Sequence, residues 1–156
     1  MREHCDSADR RSMSSLRSYP PRHHIYIGGD VVILLTLGRT PNGMFLDAEP
    51  VAVAPLADPE AIRRALTELI ERGNPEIPLP SRDTYRPVVL SYGGVKSWSK
   101  FSKKFGAILF VLDGSEYRLD FAAAGSNADD PARTERVAPD DLLSKVLAHI
   151  LSWNRP

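Results

Sequence analysis

The sequence predicts an α+β fold: a mainly antiparallel sheet of about five to six strands, with two amphipathic helices and one short helix packed on one side. Three observations predict it. Two segments carry apolar residues at helical spacing between recognisable start and stop signals. Short runs of β-branched and aromatic residues are joined by turn signals too short for parallel crossovers. One of those runs, Tyr117 to Phe121, alternates strictly between apolar and polar residues, the mark of a sheet with one wet face.

Residues 1–23 come first and offer little to bury. Leu16 and Tyr19 are almost their only large apolar side chains, so the stretch cannot offset its own ordering entropy. It is expected to be a disordered tail, followed by a single α+β domain over 24–156. Ile25 to Ile27 then reads as a short strand ending at Gly28-Gly29. Val31 to Leu37 is a continuous apolar run, as expected of a strand buried on both faces. Pro41-Asn42-Gly43 turns the chain into a strand from Met44 to Val53, where Pro50 requires an edge position or a break.

The first helix is the best-signalled element. Asp58 is its N-cap, Pro59 takes the first helical position and Glu60 complements the dipole. Ala61, Ile62, Ala65, Leu66, Leu69 and Ile70 form one stripe, Gly73 supplies the C-cap and Pro75 prevents continuation. A proline-rich loop spans Asn74 to Arg86. Val88 to Tyr92 reads as a further strand. Ser97 can cap a short helix holding Trp98, Phe101 and Phe105 on one face. Ala107 to Leu112 and Tyr117 to Phe121 flank Asp113-Gly114-Ser115-Glu116, a hairpin signal. Ala122 to Pro139 reads as a loop. Asp140 and Asp141 open the last helix, whose stripe is Leu142, Leu143, Val146, Leu147, Ile150 and Leu151, with Trp153 closing onto the core.

Composition excludes several function classes. The 156 residues are 42% hydrophobic and 26% charged, ordinary globular usage rather than collagen-like, coiled-coil or fully disordered. Twenty basic residues balance twenty acidic ones, so no global charge drives the chain to nucleic acid or an anionic membrane. The single cysteine, Cys5, permits no intramolecular disulfide. No apolar run approaches the ~20 residues of a membrane helix, and residues 1–23 lack the apolar centre of a secretory signal. The expected location is cytoplasmic.

Catalytic signatures are absent. There is no nucleophile elbow, zinc-protease helix, Walker loop, dinucleotide fingerprint or Cys/His metal spacing, and the sequence predicts a protein that is not an enzyme and takes no cofactor or metal. Gly28-Gly29 and Gly93-Gly94 suit turns better than phosphate cradles. His23 and His24 are adjacent, so in a strand they point to opposite faces and cannot share one metal. His149 is expected on the exposed side of the last helix, where the dipole favours it without a catalytic role. Asp140-Asp141 is explained by first-turn electrostatics. Asp129-Asp130 is either a solvated loop or a partner-facing patch.

The most distinctive local chemistry runs from Lys96 to Phe105. Aromatics interleaved with lysines suit single-stranded nucleic acid, but helical spacing would send the aromatics to the core and the lysines to solvent. Charge is also bipolar. Residues 82–104 carry six basic residues and one acid, and residues 113–141 carry eight acids and three basic residues. Such a distribution suits steering toward a charged partner, unless folding brings the two blocks together.

The run HIYIGGDVVILLTLGR and the stretch from Gly73-Asn74-Pro75 through Val95-Lys96-Ser97-Trp98-Ser99-Lys100-Phe101 to the closing hairpin resemble bacterial immunity proteins of contact-dependent growth inhibition systems. The resemblance covers about residues 24–155. It implies a small cytosolic protein made beside a polymorphic toxin, whose cognate C-terminal toxin domain it binds and neutralises by occluding the active site. It also implies that the toxin is a nuclease, often one acting on tRNA through a basic cleft. Charge and exposure then nominate Asp113, Glu116, Asp120, Asp129 and Asp130 as the partner surface, with Trp98 as an aromatic anchor. Two other classes stay open. One is a nucleic-acid-binding module using Arg82, Arg86, Lys96, Lys100, Lys103 and Lys104. The other is a small enzyme drawing on His24, Asp30 and Glu116 in a concave pocket.

Overall fold

The computed structural model describes residues 20–125 and 133–153. Their secondary structure is β1 (Arg22–Gly28), β2 (Val31–Arg39), β3 (Phe45–Pro55), α1 (Pro59–Arg72), α2 (Val89–Tyr92), α3 (Trp98–Lys104), β4 (Gly106–Asp113), β5 (Glu116–Ala122), β6 (Arg133–Val137), a 3-10 turn at Pro139–Asp141 and α4 (Leu142–Ser152). The strands form one six-stranded sheet in the order β3-β2-β1-β4-β5-β6, antiparallel throughout. The α+β class is as the sequence predicts.

Four details differ from expectation. The first strand begins at Arg22, so Arg22 and His23 belong to the sheet rather than to a tail ending at residue 23; residues 1–19 of that tail, with Cys5, lie outside the described residues. Val89–Tyr92 is one turn of helix, not a strand, because Pro87 and Gly93 bracket it and Val89 and Leu90 bury themselves against the face of the sheet rather than pairing along an edge. Part of the expected loop 122–139 is β6, a short strand of mostly exposed residues. Finally, the short helix does not share a side with the two long ones.

That last point follows from the period-two alternation of the central strands. Ile25, Ile27, Val32, Leu34, Ile108 and Phe110 face α1 and α4. Tyr26, Ile33, Leu35, Leu37 and Ala107 face the opposite way, toward α2 and α3. The helices therefore cover both faces, and neither is bare. This is why β2 is apolar at almost every position.

The sequence signals have identifiable structural counterparts. Asp58 accepts a hydrogen bond from Ala61 N at 3.1 Å, and Gly73 closes α1 with φ 68°. Pro50 lies on an edge strand and also at a break: the β2–β3 register shifts between Leu35 and Thr36, leaving Glu49 and Pro50 as a bulge. The fully buried Thr36 hydroxyl bridges this irregularity. It donates to the Pro50 carbonyl at 2.9 Å and accepts from Arg72 Nη1 at 3.0 Å.

Asn74, in the Gly73-Asn74-Pro75 turn, ties α1 to the sheet. Its amide nitrogen donates to the carbonyls of Arg22 (2.8 Å) and Leu37 (2.9 Å), and its Oδ1 accepts from Arg22 N at 3.0 Å. Asn74→Ala would leave three partly buried backbone groups without partners. The expected cost is about 2–3 kcal/mol, read as a lower urea midpoint with an unchanged m-value.

Candidate functional site

α2 and α3 do not fill the sheet face they cover. Between α3, the first half of β3 and the middle of β1 and β4 lies a cavity of about 590 Å³. Its walls are largely aromatic: Tyr26 from β1, Phe45 from β3, Tyr85 from the proline-rich loop, and Trp98, Phe101 and Phe105 from α3. The titratable groups on it are His24, Asp47 and two tyrosines, and no lysine or arginine lines it.

The aromatic wall is built by α3. Ser97 caps the helix by accepting from Lys100 N at 3.3 Å. The i, i+3, i+4 spacing then stacks the rings, Trp98 on Phe101 at 5.3 Å between centroids and Phe101 on Phe105 at 4.6 Å, both near parallel. Tyr26 stands edge-on to Phe101 at 4.9 Å and to Trp98 at 6.1 Å. Phe101 and Phe105 are buried, whereas Trp98 at the end of the stack is 46% exposed. The helix end sits close over β1 because residue 28 is glycine. A Cβ there would stand 2.5 Å from the Phe105 ring and 2.7 Å from the Lys104 carbonyl oxygen.

Asp47 contributes the site's negative charge. It pairs with Leu37 across the β2–β3 ladder, and so points toward the same face as the α2–α3 core. Burial pushes its carboxyl up to about 6, opposed in part by a hydrogen bond from Val89 N–H. The same burial, together with the Asp47 charge, raises the Tyr26 and Tyr85 hydroxyls above the ordinary phenol range. A hydrogen bond from the Asp47 backbone N–H partly offsets this for Tyr85. His24 is pushed down to about 4, first by burial and then by the Arg22 and His23 charges, so it is neutral at pH 7. Arg22 itself lies outside the cavity lining, its guanidinium 4.3 Å above the Phe45 ring.

His23 and His24 diverge as the strand period requires. His23 is 1% exposed on the other face, 5.0 Å from the Phe110 ring, and burial lowers it to about 4. His149 is not on an exposed side. It is half-buried on Phe121 at 4.4 Å, with Nε2 3.2 Å from the Glu135 carboxylate. Among the described residues no group of His, Cys, Asp and Glu is arranged to hold a metal, and no helix is long and apolar enough to cross a membrane.

The nominated partner residues divide between two places: Asp113 and Glu116 meet across the β4–β5 hairpin, with Asp120 further along β5, and Trp98 stands apart from them on α3. Trp98 lines the cavity. Asp113 and Glu116 are exposed at the β4–β5 turn, about 13 Å along β4 from the nearest lining residue on that strand, Leu109, at ~3.3 Å per residue. Asp129 and Asp130 lie outside the described residues. Part of the acidic block is paired internally. Asp113 pairs with Arg136 at 2.9 Å, and Asp120 with Arg118 at 3.3 Å, while also accepting from the Thr134 hydroxyl at 2.9 Å. The trio His24, Asp30 and Glu116 is dispersed as well. Asp30 is in the β1–β2 turn at one end of the sheet and Glu116 at the other. All six of the basic set, Arg82, Arg86, Lys96, Lys100, Lys103 and Lys104, are exposed; Lys104 also donates to the Gly93 carbonyl at 2.9 Å and Arg86 to the Tyr85 carbonyl at 2.8 Å.

Asp47 and Tyr85 are the site residues that sequence reasoning missed. They stand 38 positions apart, 47 to 85, with no motif between them. One signal was available: Phe45 and Asp47 share a strand face, and a carboxylate at an inward-facing strand position is a polar group buried for a reason other than packing.

No protein-family model matches the chain, and no curated protein matches it in sequence. It is similar in fold to a solved structure, the protein of unknown function NMB0488 from Neisseria meningitidis. The TM-score is 0.53 at 11% identity, covering 87% of this chain and 96% of that one. The likeness is one of fold alone.

Proposed function

We propose that the chain is an immunity protein that binds a cognate toxin C-terminal domain, a nuclease such as a tRNase, and neutralises it by occluding the active site. The observation that carries this reading is Trp98. A tryptophan 46% exposed, yet held by the Phe101–Phe105 stack, is the kind of rigid aromatic anchor that dominates protein interfaces. It borders a concave surface. The sequence resemblance supplies the class of partner. Because Asp113 and Asp120 pair internally, the reading puts the partner on the aromatic cavity rather than on an acidic strand face. A specific interface there would bury on the order of 1,600 Å² in total.

The test is co-expression with the toxin domain encoded immediately upstream, scoring growth rescue and co-purification. Rescue with a stable complex is expected, and Trp98→Ala should weaken that complex about 30-fold or more while leaving the circular dichroism spectrum unchanged. An active toxin domain that the wild-type chain neither binds nor restrains would sink the reading.

A second reading, a small enzyme, is favoured by one observation. A carboxyl held at about 6 shares a cavity with a neutral histidine and a phenol, the combination from which general acid–base sites are built.

A further inference from the structure

We infer that the cavity between α3 and β3 is a recognition site for a guanidinium group, with the Asp47 carboxylate as counter-charge and the flanking aromatic rings as stacking walls. The charges lining the cavity are unbalanced. Asp47 is the only acidic residue lining the cavity, and no basic side chain forms an ion pair with it among the described residues. A carboxylate can accept about four hydrogen bonds, and Asp47 receives one from Val89 N–H. A half-buried carboxylate left without a cation is costly, and a fold keeps it more readily where a ligand completes it.

The rest of the lining narrows the chemistry. Tyr26, Phe45, Tyr85 and Trp98 present aromatic surface, which attracts cations and favours planar ones. A guanidinium combines a flat face for stacking with paired N–H donors that match a carboxylate. His24, the one basic lining residue, is uncharged at pH 7 and does not repel such a group. The chain already makes one contact of this kind beside the cavity, where the Arg22 guanidinium lies 4.3 Å over the Phe45 ring. The volume, about 590 Å³, falls in the ordinary range for a small-ligand site and accommodates a whole arginine side chain. The guanidinium belongs either to a free small molecule or to an arginine presented by a protein partner. The inference does not depend on the partner being a toxin.

The test begins without any partner. The full chain is titrated with Nα-acetyl-argininamide and followed by NMR, with the citrulline analogue as an uncharged isostere and the lysine analogue as a non-planar cation. Saturable shifts centred on Asp47, Tyr85 and the Trp98 indole are expected, with both analogues at least about tenfold weaker. Asp47→Asn, which keeps the side-chain shape and an acceptor for Val89 N–H, should weaken binding at least about tenfold with the remaining spectrum unchanged. Absence of saturable shifts, equal binding of either analogue, or equal binding by Asp47→Asn would each overturn the inference. A second arm identifies the source. If Asp47→Asn weakens the toxin-domain complex as well as the free probe, the guanidinium is a partner arginine. If only the probe is lost, the ligand is a free molecule and the immunity reading stands or falls on its own test.

Discussion

Replacing Phe101 with alanine is expected to cost about 3–5 kcal/mol, a large share of the stability of a domain this size. Phe101 is 1% exposed and is the middle ring of the α3 stack, touching Trp98, Phe105 and Tyr26. α3 spans only seven residues and has little helical stability of its own. Removing its central ring leaves a cavity that the sheet side cannot fill, because Tyr26 is fixed in β1. The loss should appear in urea unfolding as a lower midpoint, and in Trp98 fluorescence as a red shift before global unfolding. Phe101→Leu should recover more than half of it. A loss below about 1 kcal/mol would mean that α3 is not integrated with the sheet.

Acid should unfold the protein along a shallower path than its two buried histidines alone would dictate. His23 and His24 take up protons near 6.5 when unfolded, but only near 4 when folded, so the stability they contribute is complete above pH 6.5 and is lost as the pH falls to 4. Asp47 works in the other direction. Its folded carboxyl is protonated near 6 and its unfolded one near 3.8, so folding becomes more favourable as the pH falls across that interval. Between pH 6 and 4 the unfolded state therefore binds about one more proton than the folded state, two from the histidines less one from Asp47. Stability should fall by about 1.4 kcal/mol per pH unit from these groups. Asp47→Asn removes the opposing proton. The slope should steepen toward about 2.7 kcal/mol per pH unit, and stability at pH 8 should rise by on the order of 2 kcal/mol as a buried unpaired charge disappears. Urea unfolding of both proteins at pH 4.5, 6 and 8 reads all three quantities. Parallel pH profiles for the two would show that Asp47 is not buried as described.

The elements that the sequence predicted well are those whose local signals agree with their surroundings. α1 has its cap, proline, stripe and terminal glycine, and nothing in the tertiary structure competes with them. The β4–β5 hairpin has its turn between alternating arms. The misread elements are those where tertiary contacts outweigh propensity. Val88 to Tyr92 is β-rich in composition, but Pro87 before it and Gly93 after it leave room for only one helical turn, which Val89 and Leu90 anchor to the sheet face. β6 escaped notice because an edge strand of Arg, Thr and Glu with one buried residue, Val137, carries almost no apolar signal. The candidate site was half legible. The α3 aromatics declared themselves by spacing, while Asp47, Tyr85 and the emptiness between them exist only once the sheet has brought β3 and the proline-rich loop under α3.

The strand order carries a consequence for how the molecule is made. β3-β2-β1 and β4-β5-β6 are each meanders of sequence neighbours, and the two join along a single seam between β1 and β4, where Ile25 meets Ile108 across 83 residues, 25 to 108. A chain emerging from the ribosome completes the first meander and α1 early, yet the far edge of β1 waits unpaired until β4 appears. That edge displays Ile25, Tyr26 and Ile27, apolar on both faces, the kind of strand by which two nascent chains adhere. The finished sheet has no such weakness. One outer edge is guarded by Pro50 and Pro55 on β3, and the other by the charged run of β6. The aggregation hazard of this fold thus belongs to its synthesis, and it ends when β4 closes the seam.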